Sequence, residues 1–181
     1  MNYIKCSLFV ICIILVGVLI CNYNKIDEDI TRYRFNTYFD TKSIVNDSTD
    51  IIKGKVVSIK NKKIDISLDE SEKKVNKYVV LDVKINESVK GKYNKDDIVK
   101  VKYPVELQEL MRDKLIKDKE YLLFLVNYDT FNKEIPMSLL NIEQSIINFE
   151  DGKFYDNEYD QMNLFKDTPN DQLIDYIKSL L

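Results

Sequence analysis

The sequence predicts a mainly β fold, a small closed barrel with peripheral helices, preceded by an N-terminal hydrophobic helix. Three observations predict it. Five or six short runs between residues 51 and 155 are β-branched or alternate apolar with polar residues, with turn residues between them. One of these runs contains Gly54, and a glycine inside a strand marks a bulge or a sharp bend, which a closing sheet needs. A stretch with helical spacing then falls between the third and fourth long runs.

The leader comes first. Met1–Lys5 is short and basic, and Cys6–Cys21 contains no ionisable carboxylate or amine. As a helix the run spans roughly 24 Å, or about 27 Å with Ile4 and Lys5 included, against about 30 Å of hydrocarbon. The exit Val18-Leu19-Ile20-Cys21-Asn22 has no A-x-A-like cleavage pattern, so an uncleaved anchor over residues 4–21 is the first reading. Lys5 ahead of the run places the N-terminus in the cytoplasm and the body outside it. The second reading is lipidation. Val18-Leu19-Ile20-Cys21 resembles a bacterial lipobox, with Ile20 where that motif carries Gly, Ala or Ser, and it would attach lipid to Cys21.

Residues 22–49 are expected to form a tether and a short helix. Ile26–Asp40 mixes Ile26, Ile30, Tyr33, Phe35, Tyr38 and Phe39 with Arg32 and Arg34, and reads as an aromatic edge packing onto the body. Thr41–Ser48 reads as a helix capped by Ser43 or Thr41, with Ile44 and Val45 inward. The barrel is expected over residues 50–160. Ile51–Ile59 is the glycine-bearing strand, and Ile64–Leu68 extends it or forms a hairpin arm. Tyr78–Glu87 has the clearest period of two: Val79, Leu81, Val83 and Ile85 on one side, Asp82, Lys84 and Asn86 on the other. Lys90–Asp97 is a turn around Gly91. Ile98–Tyr103 alternates again, with Val99, Val101 and Tyr103 inward and Lys100 and Lys102 outward.

Pro104 stops that strand, and Val105–Leu115 places Leu107, Leu110, Met111 and Leu115 at helical spacing. Tyr121–Val126 is unbroken apolar, as expected of a central strand covered on both faces. Asp151-Gly152 predicts a two-residue hairpin that sets Glu150 opposite Lys153 and Phe149 opposite Phe154. The terminal segment 168–181 reads as a helix on the barrel. Thr168 is its cap, Pro169 its first residue, and Leu173, Ile174, Ile177, Leu180 and Leu181 its apolar stripe.

Such a strand set fits an OB-like barrel. Three stretches, Ser43–Val57, Val83–Gly91 and Lys119–Leu125, together resemble small extracytoplasmic bacterial proteins whose barrel is similar to the netrin/tissue-inhibitor-of-metalloproteinases type of OB fold. The resemblance spans about residues 43–155 and implies a fold. It carries over no functional residue, because the inhibitors use an N-terminal cysteine and many disulfides.

Composition bounds the chemistry. The chain has 27 basic and 30 acidic side chains, a net −3, which lacks the basic excess of a general nucleic-acid binder. It has no histidine, and its three cysteines, Cys6, Cys12 and Cys21, all lie in the leader. This removes Ser-His-Asp and Cys-His nucleophile systems and the common zinc sites from the body. No catalytic, cofactor or metal residue is assigned. Asp156–Asp160 alternates oxygen ligands but lacks the glycine and distal glutamate of a calcium loop, and reads as a solvated turn.

Lys53, Lys55, Lys60, Lys62 and Lys63 form a run without an acid between Ile51 and Ile64. It reads as a lysine-guarded strand edge, or as a patch for anionic wall polymer or lipid head groups. The 12 tyrosines read mostly as half-buried barrel residues, with a glycan or peptide groove as the alternative.

The expectation for function is a membrane-tethered, extracytoplasmic, non-catalytic binding or adaptor module of the cell envelope. Its partner would be an envelope protein, peptide or glycan, with the membrane engaged through residues 4–21. An accessory subunit of a membrane complex and an envelope hydrolase with a cryptic carboxylate site are the alternatives.

Overall fold

The computed structural model describes residues 37–67, 74–127, 135–155, 164–165, 167–169 and 171–181. The leader, Cys21 and the Asp156–Asp160 stretch lie outside the described residues. Among the described residues no helix is long and apolar enough to cross a membrane.

The sheet is built from β1 (Asp50–Asp65), β2 (Val75–Lys90), β3 (Ile98–Pro104), β4 (Glu120–Val126), β5 (Met137–Leu139), β6 (Ile146–Glu150) and β7 (Lys153–Tyr155). Its order is β1-β2-β3-β5-β4-β6-β7, and β1 also pairs with β4. Five strands, β1-β2-β3-β5-β4, therefore close into a ring. All its pairings are antiparallel except β3–β5.

Closure depends on β1. Residues Ile51–Lys55 pair with β2 on one edge and with β4 on the other. The register against β2 slips between Ile51 and Ile52, between Lys53 and Gly54, and between Val56 and Ser58. Such slips increase local twist and bend the strand. Gly54 sits at the middle one. A Cβ there would lie 2.7 Å from the Lys84 carbonyl oxygen and 2.8 Å from Val83 Cγ1, so the bend needs a residue without one. β1 then continues unbroken to Asp65 and takes in the Lys60–Lys63 run.

Strand β4 is covered on both faces. Leu122 and Phe124 join Tyr38, Ile44, Val45, Ile51, Val89, Ile147 and Phe154 in one core cluster. Tyr121, Leu123 and Leu125 are buried on the opposite face. β5 and β6 share one edge of β4, β5 at Leu125–Val126 and β6 at Glu120–Leu123. Asn141 makes the break between them. Its Oδ1 accepts from the backbone N–H of Glu143 at 2.7 Å and of Gln144 at 3.0 Å. The hairpin at Asp151-Gly152 forms as the sequence predicts. Both residues have positive φ, and Phe149 pairs Phe154 with ring centroids 4.8 Å apart.

The helices differ from expectation in detail. Helix α1 (Thr41–Asp47) is capped by Asp40, not by Ser43 or Thr41. The Asp40 carboxylate accepts from the Ser43 N–H at 2.8 Å and from its hydroxyl at 2.7 Å, which holds the acid below the usual carboxylate range. The expected Val105–Leu115 helix is a 3-10 turn (Val105–Leu107) followed by one turn of helix α2 (Gln108–Met111). It stops because Lys114 N–H tightens onto Met111 O at 3.2 Å and Tyr121 Oη takes the Ile116 N–H at 2.7 Å. Helix α3 spans Leu173–Ser179, later than Thr168-Pro169 suggests. Pro169 instead opens a turn closed by Gln172 N–H to Pro169 O at 2.9 Å. Leu173 and Ile177 bury the stripe in the core cluster, while Leu181 stays exposed.

The aromatic edge divides between neighbours. Phe39 is 76% exposed, whereas Tyr38 is buried. Gln144 grips the Tyr38 backbone as a strand would, accepting from its N–H at 2.8 Å and donating to its carbonyl at 2.9 Å. Both contacts are buried, so Gln144→Ala is expected to lower stability by about 2 kcal/mol in a denaturant titration.

Candidate functional site

A cleft of about 750 Å³ opens where the far end of β1, the start of β3 and the segments flanking β4 and β5 come together. Its polar walls carry Lys62, Lys63, Asp65, Tyr93, Lys100 and Asn127. Its apolar lining comes from Ile64, Ile98, Val99, Ile135, Pro136 and Met137. Its volume falls within the range that small-molecule sites occupy. Ile98 is 61% exposed there, a large apolar side chain left open to solvent.

The alternation of β3 explains how the walls form. Val99, Val101 and Tyr103 go inward as expected, and Lys100 projects outward. Lys102 corrects the pattern, because it is only 6% exposed. The segment leading into β5 lies over it, and its Nζ donates to the Pro136 carbonyl at 2.7 Å and to Ser138 Oγ at 2.8 Å. The Tyr78 ring lies 5.8 Å from the same nitrogen. Burial pulls the Lys102 ammonium down from 10.5 to about 8. Lys102 thus pins the Pro136 wall of the cleft to β3, at the two-residue β3–β5 pairing.

The five lysines singled out on β1 have different surroundings. Lys53 is half-buried, with Nζ 3.4 Å from the centroid of the Phe149 ring. Lys55 pairs with Asp118 and Lys60 with Asp82, each at 3.8 Å. Lys62 and Lys63 reach the cleft, where they meet Lys100, which sequence reasoning left on a solvated face. None of these three cleft lysines is in an ion pair with another described residue. Asp82 is the register partner of Lys100, but its carboxylate is turned to Lys60.

The single carboxylate among the described lining residues, Asp65, accepts hydrogen bonds from the Ser67 N–H at 3.0 Å and from the Ser67 hydroxyl. Of the tyrosines that could have lined a groove, Tyr93 does so among the described residues. Its hydroxyl reaches Met137 Sδ at 3.6 Å, and burial, helped by Asp50 and Asp97, pushes its ionisation up. Tyr38, Tyr103 and Tyr121 are core residues.

Among the described lining residues the cleft offers three ammonium groups, one carboxylate bonded to Ser67, one phenol and several apolar side chains. Among the described residues no group of three or more metal-ligating side chains forms. No family model and no curated protein matches the chain.

Proposed function

We propose that this chain is a membrane-tethered, extracytoplasmic binding module of the cell envelope, built on a small OB-like barrel, which holds a peptide or glycan segment without transforming it. The observation that carries this reading is the position of the cleft. In OB barrels the binding surface is the β2–β3 face with the loops that join β1 to β2 and β4 to β5. Here the cleft takes its residues from the end of β1, the start of β3, and both sides of the β4–β5 connection.

The ring order, the parallel β3–β5 pair and the short helix between β3 and β4 support the barrel reading. The apolar leader supports the tether, with lipid at Cys21 as its alternative form. A chain without histidine, whose cysteines all lie in that leader, supports recognition over nucleophilic catalysis.

Full-length protein in non-ionic detergent micelles is expected to retain envelope peptide or glycan fragments and release them with unchanged masses. Ile98→Trp, which fills the cleft from an exposed position, is expected to weaken retention at least tenfold with little change in unfolding midpoint. Fragments released with a newly cleaved bond at an enzymatic rate would contradict the reading.

A further inference from the structure

Three lysines that lie far apart in sequence line one cleft of the ring, and their charge points to a ligand. Lys55, Lys60, Lys84, Lys119 and Lys178 are each matched by a carboxylate within 4 Å. Lys62, Lys63 and Lys100 are in no ion pair with another described residue, a state they share with surface lysines such as Lys77 and Lys153, but these three line the cleft described above. Three ammonium groups lining one concave surface raise the local concentration of anions. Asp65, the carboxylate among the lining residues, spends one oxygen on Ser67.

We propose, building on the binding-module reading, that the cleft takes a linear phosphate-bearing polymer, with Lys62, Lys63 and Lys100 contacting successive phosphates and Ile98, Pro136 and Met137 packing against the chain between them. The ammonium groups are compact point charges that suit phosphate oxygens. Lysine is a common phosphate ligand of this kind. Concavity selects a chain over a membrane, since a flat layer of head groups follows a cleft less closely than a flexible polymer does. Lys102 acts as a positioning residue here, because it holds the Pro136 wall through the carbonyl 2.7 Å from its Nζ.

The test titrates full-length protein in non-ionic detergent micelles with fluorescent linear polyphosphate over a range of salt. Neutralising about three phosphates of a flexible strand predicts a slope near −2 in log K against log salt. Lys62→Gln/Lys63→Gln/Lys100→Gln is expected to lose at least tenfold in affinity and most of that slope. Lys55→Gln/Lys60→Gln removes charge from β1 outside the cleft and is expected to stay within about twofold.

Equal losses in both variants, or none in the first, would overturn the site. Polyglutamate of matched length binding as tightly would overturn the phosphate assignment. Phosphatidylglycerol vesicles displacing the probe at equal phosphate would assign the lysines to a membrane surface and overturn the proposal. An uncharged envelope fragment held in a salt-independent, Ile98→Trp-sensitive way would overturn it too, while leaving the binding-module reading intact. Fragment cleavage with tight polyphosphate binding would do the reverse.

Discussion

Gly54→Ala is expected to lower the unfolding free energy by about 3 kcal/mol, at the upper end of what overpacking a tight core costs. The added methyl group would meet the Lys84 carbonyl oxygen at 2.7 Å and Val83 Cγ1 at 2.8 Å. Neither neighbour moves freely. Lys84 and Val83 belong to β2, which is laddered to β3 through Ile98 and Val99. β1 cannot retreat either, since Gly54 pairs with Tyr121 of β4 on its other edge. The strain therefore falls on the bend that closes the ring. Against a typical stability of about 5–15 kcal/mol this is a large fraction. A urea titration followed by tyrosine fluorescence checks it, with a fall in midpoint and an unchanged slope as the expected outcome. Gly152→Ala is the comparison. Its Cβ would meet nothing within 4 Å, so only its positive φ is at stake, and about 1 kcal/mol is expected. A Gly54→Ala protein as stable as the parent would mean that the bend does not depend on this residue.

Stability is expected to rise between pH 8 and pH 10 and to fall above it. In the folded chain Lys102 titrates at about 8, against 10.5 in the ordinary case. Between those values the unfolded chain holds the extra proton, so raising the pH favours folding. The lysine's buried charge penalises the fold by about 3 kcal/mol below pH 8, and the penalty fades as pH climbs towards 10.5. Tyr103 acts with the opposite sign. Burial pushes its ionisation from 10.0 to about 12, so the unfolded chain loses its proton first, and stability drains as pH rises from 10 to 12. Tyr93 and Tyr121 are shifted upward as well and add to that fall. A stability maximum near pH 10 follows, read from urea midpoints at a series of pH values. Lys102→Met is expected to flatten the rise below pH 10 and leave the fall above it. A parent protein with a flat profile from pH 7 to pH 10 would show that the ammonium is better solvated than its contacts imply.

The ladder of the sheet was legible wherever residues alternate or turn chemistry is specific. Val79, Leu81, Val83 and Ile85 go inward as their period of two requires, and Asp151-Gly152 sets the hairpin register to the residue. Gly54 marked the bend because only close backbone approach explains a glycine there. Helix ends were less legible. Pro169 fits a turn as well as a first helical residue, and the short run after Val105 was cut by a tyrosine hydroxyl from β4 that no local pattern reveals. The cleft was half visible. Lys62 and Lys63 stood out as part of an acid-free run, but Lys100 and Ile98 lie some 35 residues further on, and only the ring brings them near. Lys102 was the instructive miss. Alternation sends it outward correctly, but a chain segment from beyond β4 then lies over it, which is a tertiary event without a local signal. What could have hinted at it is Val80, apolar on the polar side of β2, which pairs with Lys102.

The cleft is the proposed place where this protein meets a ligand. Amide hydrogen exchange of the full-length protein in micelles, with and without solubilised envelope fragments, tests that most directly. Slowed exchange confined to residues 62–65, 98–100 and 135–137 is the predicted result. Protection elsewhere, on β7 or on helix α3, with those three segments unchanged, would contradict it.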